Sequence, residues 1–324
     1  MIIFILIISI FLNFYGCSKL EPSKVSPVIE KYPEAEKWRR DGSYILSPYG
    51  KIFTKDLGEG ENILLLHGYP SNSYDYFPLS LGLKNRLLFI DLLGFGYSDK
   101  PRNINYTYKI QTDIVENYLQ QKKINELFIV AHDYGVTIAQ ELLARSIDNN
   151  NTHSNYFKIK GIIIISGGLF PEYHKSSISE QITKSSLGEY FDKWIGKDRY
   201  LKNLLELYNI NKRPSSYELE ELWKIINYQE GSKLSHKLIY FHKDREYNYK
   251  RYITPLNNKF IPTIVIEGAD DPNLDYAEID KYQEITDKEK IFILDNTGHF
   301  PHIESYKEVI NIINNFIISI VKNQ

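Results

Sequence analysis

Short apolar runs without polar interruption recur along the 324 residues: ILLL (63–66), LLFI (87–90), LFIV (127–130), GIIIIS (161–166), TIVIE (263–267) and IFIL, which ends at Leu294. Runs that are apolar on both faces suit strands of a parallel sheet, which is covered on both sides. Between most of them lie stretches of helical periodicity, such as TDIVENYLQQKK and VTIAQELLARSI. The alternation β-α-β-α predicts an α/β fold with a mostly parallel, doubly wound sheet. Ahead of the first run, SYILSPYGKIFTKDLG predicts a hairpin that turns at Pro48-Tyr49-Gly50. The segment DNNNTHSNY (148–156) is polar and aperiodic, which predicts an exposed loop. From Gly168 to about Leu256 the strand pattern stops and the sequence turns helical and aromatic, as in YELEELWKIINYQE. The predicted division is a core formed by 31–168 and 257–324 beneath a helical cap at 169–256. Such a cap covers the crevice where parallel sheets bind ligands.

The first residues follow a different pattern. An apolar run from Ile2 to Leu12 is too short for a comfortable membrane span of about 20 residues and reads as the hydrophobic part of a signal peptide. The single cysteine, Cys17, follows it behind Gly16 and ahead of SKLEPSKVSP, as at the processing site of a bacterial lipoprotein. Residues 1–17 are expected to be a signal with Cys17 as lipidation site, residues 18–30 a tether, and the protein exported and membrane-associated. An uncleaved anchor and an ordinary signal peptide are the alternatives.

Composition narrows the functional classes. With 43% apolar and 25% charged residues the chain has globular proportions. A net charge of -2 leaves no basic surplus for nucleic acid. One cysteine supplies neither a disulfide framework nor a thiolate zinc site, no H-E-x-x-H spacing occurs, and no metal or organic cofactor is expected.

Candidate chemistry gathers at strand ends. ILLL runs into His67-Gly68-Tyr69-Pro70, where a strained turn can aim backbone N–H groups into the crevice as an oxyanion hole. LFIV runs into Ala131-His132-Asp133-Tyr134-Gly135, with small residues two positions either side of Asp133, as a sharp strand-to-helix elbow requires. Asp133 there is either a helix cap or a nucleophile, and a carboxylate nucleophile attacks alkyl carbon where a serine would attack acyl carbon. TIVIE ends in Gly268-Ala269-Asp270-Asp271-Pro272, and the last strand leads to His299, so an acid and a base follow neighbouring strands. Asp271, beside Pro272, is expected to orient His299, with Asp270 as competitor and His302 as a packing group. The stretch DLLGFGYSDKP contains G-x-G after a strand but lacks the third glycine and the helix of a dinucleotide site, so it reads as a structural loop.

Together HGYP, DLLGFGYSDKP, AHDYG, GADDP and GHFPHIE resemble the α/β-hydrolase superfamily, in particular its epoxide hydrolase and haloalkane dehalogenase branch, over residues 43 to 320. HDYGVTIAQELLAR, SGGLFPEYH and RPSSYELEELW are most similar to the mesoderm-specific transcript family. The resemblance implies Asp133 as nucleophile, Asp271 and His299 as acid and base, and the N–H groups of Tyr69 and Tyr134 as oxyanion donors. It implies a ring-opening cap tyrosine at Tyr240, with Tyr173, Tyr190 or Tyr208 as a second. The expected reaction is hydrolysis of a small apolar-to-amphipathic organic substrate, an epoxide, by water. Dehalogenation is the alternative enzyme reading, although Tyr134 stands where that branch uses a tryptophan N–H and Tyr69 where it often carries a side-chain amide. A membrane-tethered binding protein that kept the fold without turnover is the non-enzyme alternative.

Overall fold

The structure, a computed structural model, describes residues 32–150, 157–173, 178–239 and 241–322. Among them eight strands form one sheet: β1 (Ser43–Ser47), β2 (Gly50–Leu57), β3 (Asn62–Leu66), β4 (Arg86–Ile90), β5 (Glu126–His132), β6 (Lys158–Ile165), β7 (Thr263–Gly268) and β8 (Ile291–Leu294). Their order is β1-β2-β4-β3-β5-β6-β7-β8. The β1-β2 hairpin and the β2-β4 pair are antiparallel and every later pair is parallel. This is the mostly parallel α/β sheet predicted from the apolar runs, in the α/β-hydrolase fold that the resemblance implies.

Alternation along each strand explains why those runs lack polar residues. Leu64, Leu66, Ile129, Ala131, Ile162 and Ile164 face one layer, together with α1 (Tyr108–Gln121) and α2 (Tyr134–Asn150). Ile63, Leu65, Val130, Ile163 and Ile165 face the other, against α4 (Tyr306–Val321), which follows α3 (Phe241–Asn257) in the chain. Full burial of one such aliphatic side chain contributes about 1.5–3 kcal/mol, so both faces must be apolar for the sheet to hold two layers.

Between β6 and β7 the chain runs through helices, among them Gly188–Trp194, Lys197–Leu205, Ser216–Ile226 and α3. The Ser216–Ile226 helix starts where RPSSYELEELW predicts a start. The Ser215 hydroxyl accepts the Glu218 N–H, and the Glu218 carboxylate accepts the Ser215 N–H. One local expectation is corrected: α2 continues through Asn150, so the polar stretch that begins at 148 starts as helix. Asp148 there meets the Arg251 guanidinium at 2.9 Å, and residues 151–156 lie outside the described residues. Cys17 and the apolar run from Ile2 also lie outside them. Among the described residues no helix is long and apolar enough to cross a membrane.

Candidate active site

Parallel register brings the ends of β3, β5, β6 and β7 to one edge of the sheet: Leu66 pairs with Ala131, and His132 with Ile165. At that edge Asp133 has φ 45°, a left-handed conformation unusual for a non-glycine residue. Its N–H still donates to Ile165 O (3.2 Å) while its carbonyl accepts the Val136 N–H (3.0 Å), so one residue turns strand into helix. Close approach, rather than flexibility, explains Gly135: a Cβ there would stand 2.3 Å from Leu66 O. The Asp133 carboxylate is held by the N–H of Tyr134, the first residue of its helix, and by a second donor from outside it. Its Oδ1 reaches across to β3 and accepts the Tyr69 N–H at 2.8 Å.

The HGYP turn supplies that donor. Gly68 is required by space and not by a left-handed φ, which corrects the expected reason: a Cβ on it would stand 2.6 Å from His132 Nδ1 and 2.8 Å from Asp133 Cβ. His67 Nε2 accepts the Leu92 N–H at 3.0 Å, which ties the turn to the DLLGFGYSDKP loop. Within that loop Asp91 accepts the N–H groups of Ser73 (2.8 Å) and Tyr97 (2.7 Å), so its acid is structural.

His299 and Asp271 arrive from the two strands beyond. His299 Nδ1 lies 2.7 Å from Asp271 Oδ2, and His299 Nε2 lies 3.9 Å from Asp133 Oδ2. Asp270 is engaged elsewhere, by the Asn209 side-chain amide at 2.7 Å. Burial works against charge on both partners of the 3.9 Å pair, yet attraction wins for each. Burial disfavours imidazolium, but the Asp271 and Asp133 carboxylates raise His299 to about 9. Burial disfavours the Asp133 carboxylate, but His299, His132 and the Tyr69 and Tyr134 N–H groups hold its pKa below the usual range.

His132 is the opposite case. Burial, together with the charge on His299, pushes it down to about 3, so it is neutral. Its Nε2 lies 2.8 Å from the carbonyl of His299, which fixes the proton on Nε2 because a carbonyl can only accept. The nucleophile turn and the base loop are thereby tied together. His302 packs its ring against His132 (4.5 Å between centroids) and Tyr76 (4.8 Å).

Asp133, Asp271 and His299 open into one cavity of about 390 Å³ beneath the inserted helices. Tyr240 lies outside the described residues. None of the three other expected tyrosines lines the cavity. Tyr190 is exposed, Tyr173 packs against Phe170, and Tyr208 stacks on Phe300 at 4.5 Å. Among the described residues the tyrosines that line it are Tyr69, Tyr200 and Tyr282, of which the last two went unpredicted. Glu267, Glu278 and Arg245 also line it without having been predicted. Glu267 had a legible signal, since it ends the run TIVIE at the same crevice edge as the acids beyond it; the others are brought in by tertiary packing alone.

Comparison with known proteins agrees with this fold. The chain is 30% identical over 316 residues to the mesoderm-specific transcript homolog protein of Bos taurus, covering 93% of this chain and 91% of that protein. In three dimensions it is similar to the haloalkane dehalogenase DatA from Agrobacterium tumefaciens (TM-score 0.70, 19% identity, 86% of this chain and 96% of that one). It is also similar to the epoxide hydrolase CorEH (TM-score 0.66, 19% identity, 86% and 98%). A profile of the alpha/beta hydrolase fold family matches residues 61–306, and the chain belongs to that family, alongside the mesoderm-specific transcript proteins.

Proposed function

We propose that this protein is a hydrolase that works through an ester on Asp133, with epoxides as substrates. The observation that carries the reading is the carboxylate on the strand-to-helix turn, with one oxygen held by the Tyr69 N–H and the other facing His299. Oδ2 attacks the less hindered carbon of the epoxide, the carbon–oxygen bond breaks, and the departing oxygen takes a proton from Tyr240. The Asp133 charge is then gone, and with it one of the carboxylates that hold the proton on His299. His299 releases that proton to solvent and becomes a base. A water in the gap between Nε2 and the ester loses a proton to His299 and adds to the carbonyl carbon. The resulting oxyanion stays at the Tyr69 and Tyr134 N–H groups, donors worth about 3–4 kcal/mol each in such sites. Collapse expels the diol oxygen, which takes the proton from His299. The Asp133 carboxyl loses its own proton, one proton returns to Tyr240, and His299, again beside the Asp133 carboxylate, regains the proton it gave to solvent. The sum is epoxide plus water to diol, with no group needed beyond the chain.

A single turnover in heavy-oxygen water tests this. The heavy oxygen should enter the Asp133 carboxylate, because water attacks the ester carbonyl and not the substrate. Heavy oxygen in the diol of the first turnover would mean direct attack by water and would remove Asp133 as nucleophile. We further infer that residues 1–17 direct export and that Cys17 carries the anchoring lipid. Cys17→Ser should move the protein from the membrane fraction to the soluble one, and an unchanged fraction would sink the inference.

A further inference from the structure

One wall of the cavity carries a cation that the ester chemistry does not use. Arg245, on α3, is 6% exposed and lines the cavity that Asp133 opens into. Its Nη1 donates to the Gly168 carbonyl at 2.7 Å, where the chain takes a left-handed turn (φ 48°) after β6. Its Nε has no partner, and among the described residues Arg245 forms no ion pair. A buried cation without a counter-charge is strongly disfavoured, so such a group calls for a charge that arrives from outside the chain.

The carboxyl groups on the same wall do not fill that role. Glu278 accepts the Phe170 N–H at 3.2 Å, and burial pushes it up to about 7 against the pull of Arg245 and those backbone donors. Glu267 accepts the Tyr282 hydroxyl at 2.8 Å, and burial beside Asp271 pushes it up to about 8. Both oxygens that the structure shows engaged are taken by donors other than Arg245. With Nη1 pinned by Gly168, the guanidinium is oriented in advance, and its buried Nε is left without a partner.

We propose that Arg245 forms an anion subsite of the cavity, and that the substrate of this protein is an organic acid whose carboxylate binds there while Asp133 attacks elsewhere on the same molecule. A single negative charge fits better than a phosphate, because Glu180 and Glu206 share the lining and would repel a dianion more strongly. The statement about substrate rests on the Asp133 reading; the statement about binding does not.

The test therefore has a binding arm and a turnover arm. Titration calorimetry of the full chain should show octanoate binding about tenfold or more tighter than 1-octanol, as a charge-assisted contact demands. Arg245→Gln should abolish that preference and leave 1-octanol affinity within about twofold. Equal binding of acid and alcohol by the wild type would overturn the proposal, even if the variant fails to fold. Equal weakening of both ligands in a folded Arg245→Gln would reduce Arg245 to a clamp on Gly168. Octyl phosphate bound more tightly than octanoate would overturn the carboxylate assignment. In turnover, an epoxide bearing a carboxylate should gain about tenfold in KM with Arg245→Gln, with kcat changed less than about threefold, while its neutral amide is unaffected. Carboxylate preference without any turnover would leave the subsite standing and sink the Asp133 reading.

Discussion

Replacing His299 by Gln divides the two halves of the proposed reaction. Alkylation needs the Asp133 carboxylate and its Oδ2, neither of which belongs to His299. Ester breakdown needs a proton acceptor across the 3.9 Å gap, and an amide is not one. General-base catalysis is worth about 10²–10⁴-fold and a typical turnover is about 10 s⁻¹, so ester breakdown should fall to about 0.1–0.001 s⁻¹, a lifetime of about ten seconds to about twenty minutes. The fold should tolerate the change. Gln can still donate to Asp271, which also accepts the Asn273 N–H at 2.8 Å, so the loss stays at or below the about 1.5–3 kcal/mol of one charged hydrogen bond. The assay mixes the variant with small epoxides, haloalkanes and carboxylic esters, quenches in acid within seconds, and reads intact mass before mapping the adduct. An epoxide adds its whole mass because ring opening expels nothing. A haloalkane adds only its alkyl group, which would move the assignment to dehalogenation. An acyl adduct on a serine would refute Asp133 as nucleophile. A folded variant that no member of the panel labels, together with a wild type that turns none over, would favour the tethered binding protein.

Four further outcomes follow from the geometry and the proposed roles. In Asp133→Asn the imidazole of His299 should titrate below its wild-type value of about 9, followed by NMR, because one of the carboxylates beside it is removed; an unchanged titration would break the proposed coupling. Because that folded value lies above the ordinary 6.5, the stabilisation from His299 is complete below about pH 6.5 and is lost as pH rises through about 9, so wild type should lose more stability than His299→Gln between those pH values. Gly135→Ala should cost about 1–3 kcal/mol in urea unfolding, since its methyl would meet Leu66 O at 2.3 Å, and a neutral result would mean that α2 can move away from β3 freely. Tyr240→Phe should slow ester formation by about 10²-fold or more with little change in stability, and unaltered turnover of an epoxide would assign ring opening to another donor.

The strands were legible because burial on both faces leaves no room for polar positions: Leu64 and Leu65 point to opposite layers and both are fully buried. The strand-end chemistry was legible for a related reason, since parallel strands deliver their C-terminal residues to one edge whatever the connections between them. Of Asp270 and Asp271, one residue apart, it is Asp271, beside the proline, that lies 2.7 Å from His299. What escaped the sequence lies in the inserted helices. Their apolar periodicity places Leu201 and Leu204 in a core but does not say which polar residue will face Asp133 across a gap that the chain crosses only after folding. Tyr208 illustrates this, since its aromatic ring found Phe300 instead of the cavity. Arg245 illustrates it from the other side. In HKDREYNYKRY nothing sets it apart from Arg251, yet Arg251 ends on the carboxylates of Glu141 and Asp148 while Arg245 ends buried on a carbonyl.

The bond from the Tyr69 N–H to Oδ1, in place before any substrate arrives, makes the two Asp133 oxygens unequal for the life of the enzyme. In the proposed cycle the outer oxygen leaves with each product and is replaced from water, while the inner one is kept. Every diol therefore inherits its new oxygen from the water consumed one cycle earlier, and the carboxylate acts as a one-step memory. In a protein moved from heavy to ordinary water after many turnovers, only the next product should carry the heavy atom. If the carboxylate turns over between cycles, that inheritance should instead fade gradually across several generations of product.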